Sequence, residues 1–187
     1  MTFAINGILW YYVPMSVCEY IGGFMEKGII QVYYGEGRGK TSAALGNAIR
    51  EVSNGKTAYV VQFMKGQLST DYLNKLEPEI KIFRFERCSE GFDELSDEEK
   101  QEQKVNIQNG LNFAKKVLVT GECDMLVLDE ILGLVSEDMA TEEQILELLR
   151  AKSPFTDIIL TGRTKLPAVF EVADHILNIV PEKCPES

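Results

Sequence analysis

A chain of 187 residues, 45% of them hydrophobic, is sized for one domain with a proper buried core. Its formal charge of −10 argues against a nucleic-acid groove or an anionic membrane surface as the main partner and leaves a small ligand as the expectation. Cys18, Cys88, Cys123 and Cys184 form no C-x-x-C pair, which disfavours a zinc knuckle or redox dithiol and suits reduced thiols in the cytoplasm; the single histidine, His175, lies in an apolar stretch that favours a structural role over proton transfer.

Residues 1–24 read as an N-terminal extension. The run Ile8-Leu9-Trp10-Tyr11-Tyr12-Val13 has no basic residue before it, as a secretory signal would, and Pro14, Ser16 and Glu19 keep it short of the ~20 residues that span a bilayer. Codons for Gly22-Gly23-Phe24-Met25 can spell a ribosome-binding site ahead of a start codon, so one expectation is that 1–24 are untranslated and the protein begins at Met25. The other is a mobile or amphipathic segment that packs on the domain or on a second subunit. Residues 25–187 are expected to form a single nucleotide-binding domain.

From Gly28 onward, apolar runs alternate with helical patterns, the signature of βα repeats and an α/β fold whose parallel sheet is covered on both faces. Strands are predicted at Ile29–Tyr34, Thr57–Met64, Ile80–Phe85, Met125–Asp129 and Asp157–Thr161, with a weaker sixth at His175–Val180. After the first strand, Leu45, Ala48, Ile49 and Val52 share a helical face, and Asn54-Gly55 supplies a stop. Later helices start at Ser96, with Glu99 three residues on, and at Thr141, with Gln144 three on, both capping-box spacings. Pro167 suits a first helical turn, and the acidic stretch Glu94–Glu102 reads as the solvated start of a helix.

The most informative residues lie where the first strand turns into the first helix: Tyr34-Gly35-Glu36-Gly37-Arg38-Gly39-Lys40-Thr41-Ser42. Glycines let backbone N–H groups converge on phosphate oxygens, the helix N-terminus adds its dipole, Lys40 adds charge and the Thr41 hydroxyl can ligate Mg²⁺. The loop departs from strict G-x-x-x-x-G-K-[ST], since Tyr34 holds the first position and the leading glycine comes one residue later, at Gly35. Within the cradle Arg38 is the second cation.

Asp129-Glu130 ends the apolar strand Met125-Leu126-Val127-Leu128, at the sheet edge where open α/β sheets bind ligands, and can hold Mg²⁺ directly or through water. Thr161-Gly162-Arg163 ends another strand at the same edge, placing Arg163 to reach a polyphosphate; Lys65-Gly66 is a further candidate for charge neutralisation. No Ser–His–acid or Cys–His set is present, and no lone carboxylate is marked as a general base. Such a site can hold a triphosphate and stabilise it as a leaving group, provided the nucleophile needs no deprotonation.

Together, Gly35–Ser42, Val61-Gln62-Phe63-Met64-Lys65-Gly66, Leu128-Asp129-Glu130 and Leu160-Thr161-Gly162-Arg163 resemble the P-loop corrinoid adenosyltransferases in order and spacing, over roughly Gly28 to Ala173. The resemblance implies a P-loop NTPase-like, RecA-like three-layer fold with a mostly parallel sheet of five to six strands. It also implies transfer of the 5′-deoxyadenosyl group of ATP to the Co(I) of a reduced corrinoid, with release of triphosphate, as in cobalamin biosynthesis. Carried over by position, Gly35, Glu36, Gly37, Arg38, Gly39, Lys40, Thr41 and Ser42 would bind phosphates, Thr41 and Glu130 would hold Mg²⁺ with Asp129 supporting, Arg163 would assist, and Lys40, Thr41 and Glu130 would be catalytic. Phe92 matches the aromatic loop with which relatives strip the cobalt's lower ligand, but Glu94 stands where a tryptophan is usual, and the basic, glycine-containing tail of many relatives is replaced by Pro181-Glu182-Lys183-Cys184-Pro185-Glu186-Ser187. A cytoplasmic homodimer supplied by a flavoprotein reductant, without nucleic acid or membrane partners, completes the implied picture. Two alternatives stay open: a P-loop ATPase or phosphotransferase that cleaves a terminal phosphate, and a non-catalytic module that binds nucleotide and corrinoid.

Overall fold

In the computed structural model, which describes residues 4–5, 8–9, 27–64, 73–85 and 96–183, two short strands, β1 (Ala4–Ile5) and β2 (Ile8–Leu9), pair antiparallel. Six further strands make a sheet in which every pairing is parallel: β3 (Ile30–Tyr34), β4 (Ala58–Gln62), β5 (Ile80–Arg84), β6 (Met125–Asp129), β7 (Asp157–Gly162) and β8 (His175–Asn178). Their order is β5-β4-β6-β7-β3-β8. Each predicted strand is thus present; four are shorter than predicted by one to three residues, β6 matches, and β7 runs one residue further, to Gly162. The helices are α1 (Lys40–Ser53), α2 (Asp97–Thr120), α3 (Gly133–Ser136), α4 (Glu142–Arg150) and α5 (Pro167–Val172), with a 3₁₀ turn at Leu73–Leu76.

Parallel strands need covering on both faces, and the side chains alternate accordingly. Tyr33, Val60, Met125, Val127 and Ile159 pack on one face against Ala44, Leu45 and Ala48 of α1. Val32, Val61, Leu126, Leu128, Ile158 and Leu160 pack on the other against α2, α4 and α5, through residues such as Ile107, Ala114, Leu118, Ile145, Leu149 and Val169. The central strand β6 is buried along its whole length, so each of its large apolar side chains contributes about 1.5–3 kcal/mol of transfer free energy.

One expectation fails here. Ile49 was placed on the inner face of α1 but is 45% exposed. The buried stripe centres on Ala44 and Ala48, whose small side chains let the helix settle close to the sheet, and Ile49 falls at its flank. His175 and the rest of β8 are exposed, because β8 is an edge strand and, among the described residues, pairs with β3 alone.

Local signals hold. Ser96 and Thr141 each form a full capping box, with Glu99 and Gln144 respectively. Asn54 caps the end of α1, followed by Gly55 at φ 84°. Pro167 opens α5, whose N–H groups at Ala168 and Val169 donate to Glu142 Oε1 at 2.7 and 3.2 Å.

At the amino ends of the strands, carboxylates collect backbone donors. Asp124, just before β6, accepts from Thr57 N and Oγ1, both at 2.8 Å; Asp157 accepts from Ile29 N and Asp174 from Ile30 N, each at 2.8 Å. These bonds satisfy N–H groups at strand starts that the ladder leaves open.

Candidate active site

The strand order decides which residues meet. Because β7 lies between β3 and β6, the loop after β3 and the carboxylates after β6 flank the end of β7. This is the carboxyl edge, where such sheets bind ligands.

Within the loop, glycine is required at Gly35, Gly37 and Gly39 for two different reasons. A Cβ at Gly35 (φ 114°) would lie 2.5 Å from both Asn178 Oδ1 and Ile179 O, and one at Gly37 would lie 2.7 Å from Ile179 O. The chain leaving β8 therefore forms a wall of the loop, and the Gly37 N–H donates to Ile179 O at 2.8 Å. That N–H is engaged by the protein. Gly39 has open space around it but a φ of 104°, a left-handed conformation that L side chains rarely adopt. As the N-cap of α1 it has no side chain with which to cap, so the positive end of the helix dipole stays available to an anion.

Lys40 begins α1 and is only 8% exposed. Its Nζ donates to Gly35 O at 2.6 Å and Gly37 O at 2.8 Å, so two of its three donors hold the ammonium at the centre of the loop. Glu36, Arg38 and Ser42 are exposed around it.

Asp129 is wholly buried and is the hub of the edge. Its Oδ1 accepts from Thr41 Oγ1 at 2.8 Å and Thr161 Oγ1 at 2.7 Å, and its Oδ2 accepts from Gln62 Nε2 at 3.1 Å. These three donors are neutral groups that orient the carboxylate. Gln62 in turn accepts from Arg84 Nε at 3.3 Å. Parallel register places Arg84, Gln62 and Asp129 on one rung of β5, β4 and β6. Glu130 turns the chain away at φ 64°, with its N–H donating to Thr161 Oγ1 at 2.9 Å. Leu132 then crosses so close to Gly162 that a Cβ there would lie 2.6 Å from Leu132 Cβ.

Thr161 is the residue of its tripeptide that joins this network, while Arg163 is exposed in the turn beyond β7. Lys65, Gly66 and Phe92 lie outside the described residues. Gln62 and Arg84 had no role in the sequence reading. The available signal was a glutamine ending an otherwise apolar strand, beside the strand that ends in Asp129. His175 begins β8 and so stands at the opposite end of the sheet from the loop.

Hard oxygen donors and a buried acid suit Mg²⁺, and the fit rests on one bond. Thr41 donates its hydroxyl proton to Asp129, which sets a hard oxygen donor beside the buried acid. Among the described residues no three His, Cys, Asp or Glu side chains converge to hold a metal, so a cation here would complete its shell with phosphate and water oxygens, as Mg²⁺ does in nucleotide sites.

Residues 26–186 match the family ATP:corrinoid adenosyltransferase BtuR/CobO/CobP. The chain belongs to this family. Relatives of the adenosyltransferase include the corrinoid adenosyltransferase of Escherichia coli K12, 33% identical over 158 residues that cover 84% of this chain and 79% of that protein. Corrinoid adenosyltransferase CobA of Salmonella typhimurium LT2 is similar to the same extent, and a Sinorhizobium corrinoid adenosyltransferase is 28% identical over 82% of this chain and 72% of its own length. Among solved structures, a KaiC-like protein from Pyrococcus horikoshii OT3 superimposes with a TM-score of 0.57 at 19% identity, covering 89% of this chain and 77% of that one. Flagellar accessory protein FlaH from Methanocaldococcus jannaschii does so at 0.51 and 14%, covering 87% and 76%. These two establish the RecA-like P-loop fold of the adenosyltransferase. No helix among its described residues is long and apolar enough to cross a membrane.

Proposed function

We propose that the carboxyl edge of this sheet grips the triphosphate of ATP as a leaving group. ATP-dependent adenosyl transfer to a corrinoid is the reaction of the family, and the chain is a transferase of that kind. In that reaction the electron pair of Co(I) attacks the ribose C5′, the C5′–O bond breaks, and inorganic triphosphate leaves with the bonding pair. A Co–C bond forms and no proton is removed. A site with Lys40 and a helix N-terminus on the phosphates, and His175 at the far end of the sheet, suits such a step.

The observation that carries the assignment is the bond from Thr41 to the buried Asp129 beside Lys40. It supports Gly35–Ser42 as the phosphate cradle, Thr41 and Glu130 as Mg²⁺ ligands, and Asp129 as the acid that orients Thr41. Bound Mg²⁺ would neutralise part of the triphosphate charge as it builds up. Arg38 and Arg163, both exposed, are assigned to the same polyanion, and Phe92, outside the described residues, to the corrinoid. The enzyme works in the cytoplasm as a homodimer, with a flavoprotein supplying the electrons that make Co(I). Native mass spectrometry tests the dimer.

An anaerobic assay with ATP, Mg²⁺ and chemically reduced cob(I)alamin tests the reaction. Co–C bond formation with stoichiometric triphosphate is expected. ADP and phosphate formed without any need for corrinoid would assign a terminal-phosphate chemistry instead, and ATP binding without turnover would assign a binding module.

A further inference from the structure

We propose that Asn178, the last residue of β8, belongs to the phosphate site and donates its side-chain amide to the triphosphate. The proposal deepens the reading of Gly35–Ser42 as the cradle of a leaving triphosphate and rests on it. β8 runs parallel to β3 with Asn178 opposite Tyr34, so its carboxyl end stops level with the start of the loop. Two backbone bonds then tie the chain beyond β8 to β3 and the loop: Ile179 N–H donates to Tyr34 O and Gly37 N–H to Ile179 O, each at 2.8 Å. Asn178 is thereby held beside the loop by its main chain.

Its side chain lies against Gly35. A Cβ there would come within 2.5 Å of Asn178 Oδ1, and the carbonyl of the same glycine accepts from Lys40 Nζ at 2.6 Å. One residue thus separates the amide from the buried ammonium. Asn178 is exposed, and among the described residues its amide has no hydrogen-bond partner. An asparagine amide has two N–H donors and one accepting oxygen. With the oxygen end on Gly35, the donating end remains for an anion in the loop. Phosphate oxygens accept, so they match that end, whereas a carboxylate of the same shape would oppose the polyanion with like charge.

Inorganic triphosphate is the probe, because it carries the phosphates of ATP without ribose or adenine. In calorimetric titrations of the full chain with Mg²⁺ present, Asn178→Ala is expected to lose about tenfold in affinity, the size of one hydrogen bond to a charged acceptor. Asn178→Asp should lose more, about 30-fold, and its extra loss should shrink at about 1 M salt, because it arises from charge repulsion. Both substitutions leave the backbone bonds of Ile179 and Gly37 in place. Aspartate keeps the shape of asparagine, so a side chain that merely packs on Gly35 would leave Asn178→Asp near wild type and Asn178→Ala the weaker binder. That ranking would overturn the proposal, as would binding by both variants within about twofold of wild type. A loss seen with ATP but not with triphosphate would put the contact on the nucleoside and overturn it too. Failure of the wild-type protein to bind triphosphate at all would overturn the cradle reading itself, and the role of Asn178 with it.

Discussion

The two edges of the sheet use the same residue type in opposite ways. At the amino edge, Asp124, Asp157 and Asp174 are exposed or half-buried and accept backbone N–H groups of Thr57, Ile29 and Ile30. At the carboxyl edge, Asp129 is wholly buried and its donors Thr41, Thr161 and Gln62 are side chains from three other elements. An aspartate that completes strand starts is accounted for by folding alone. One that gathers hydroxyls and an amide in a buried position costs stability to bury and completes no ladder, which is why the proposed site is centred on it.

The contrast is broken most directly by removing the charges of the carboxyl edge. Lys40→Ala should weaken ATP binding by at least about 100-fold in a calorimetric titration, since the cradle loses its buried cation. Asp129→Asn should lower adenosyl-transfer turnover by about 100- to 1,000-fold, the loss typical of removing one preorganised electrostatic group. Turnover within tenfold of wild type would put Asp129 in the same structural class as the amino-edge acids.

Asp124→Ala provides the counterpart. It deletes two bonds at an exposed position, so urea unfolding should show a loss of about 1 kcal/mol while ATP affinity stays within twofold. A change in ATP affinity larger than the stability loss would erase the distinction between the edges.

A smaller effect comes from Lys56, whose Nζ lies 2.6 Å from Glu51 Oε2 and 3.8 Å from Asp157 Oδ2. The Lys56 hydrogen bond holds the Glu51 carboxyl below its usual value, and the same bond raises Lys56. The lowered Glu51 adds stability that is present above its usual value of 4.5 and is lost as pH falls through its folded value. The raised Lys56 adds stability that is present below its usual value of 10.5 and is lost as pH rises through its folded value. Lys56→Ala should therefore cost only about 0.5 kcal/mol at neutral pH, because the lysine is well exposed and screened. The difference from wild type should vanish in strong acid and in strong base, as followed by urea unfolding across pH.

The smallest effect expected is none. Cys123 begins the turn into β6 at the amino edge, and burial pushes its thiol up to about 12. Iodoacetamide at pH 8 should leave Cys123 unmodified in the native protein by peptide mass mapping. Rapid labelling would mean that this edge opens far more readily than its packing indicates.

Much of this fold is legible in the sequence because its signals are local. Apolar runs locate all six strands of the parallel sheet, Ser96 and Thr141 mark helix starts, and the glycines and Lys40 mark a phosphate loop. Ile49 falls outside the buried stripe and β8 is exposed, since burial depends on which neighbours a helix or strand finds: α1 rests on its alanines, and β8 is an edge. The site was legible in the same uneven way. Lys40, Thr41 and Asp129 stand out in their own segments, and attention to positive charge at strand ends favoured Arg163 and Lys65. Gln62, Arg84 and the Thr161 hydroxyl acquire their roles only from the order β5-β4-β6-β7, which brings residues far apart in the chain onto one rung.

That order also sets a timetable for synthesis. The strand carrying the phosphate loop is made first in the sheet and finds its partners last: β3 pairs with β7 and β8, and Ile29 meets Asp157 across 128 residues of chain. While the ribosome works through the intervening elements, β3 has two open edges, and the loop lacks the Ile179 carbonyl against which Gly35 and Gly37 rest. ATP therefore has no complete cradle to bind on a nascent chain that stops before Ile179. Nucleotide-dependent protection from proteolysis becomes a mark of a finished protein, available to full-length chains and denied to truncated ones.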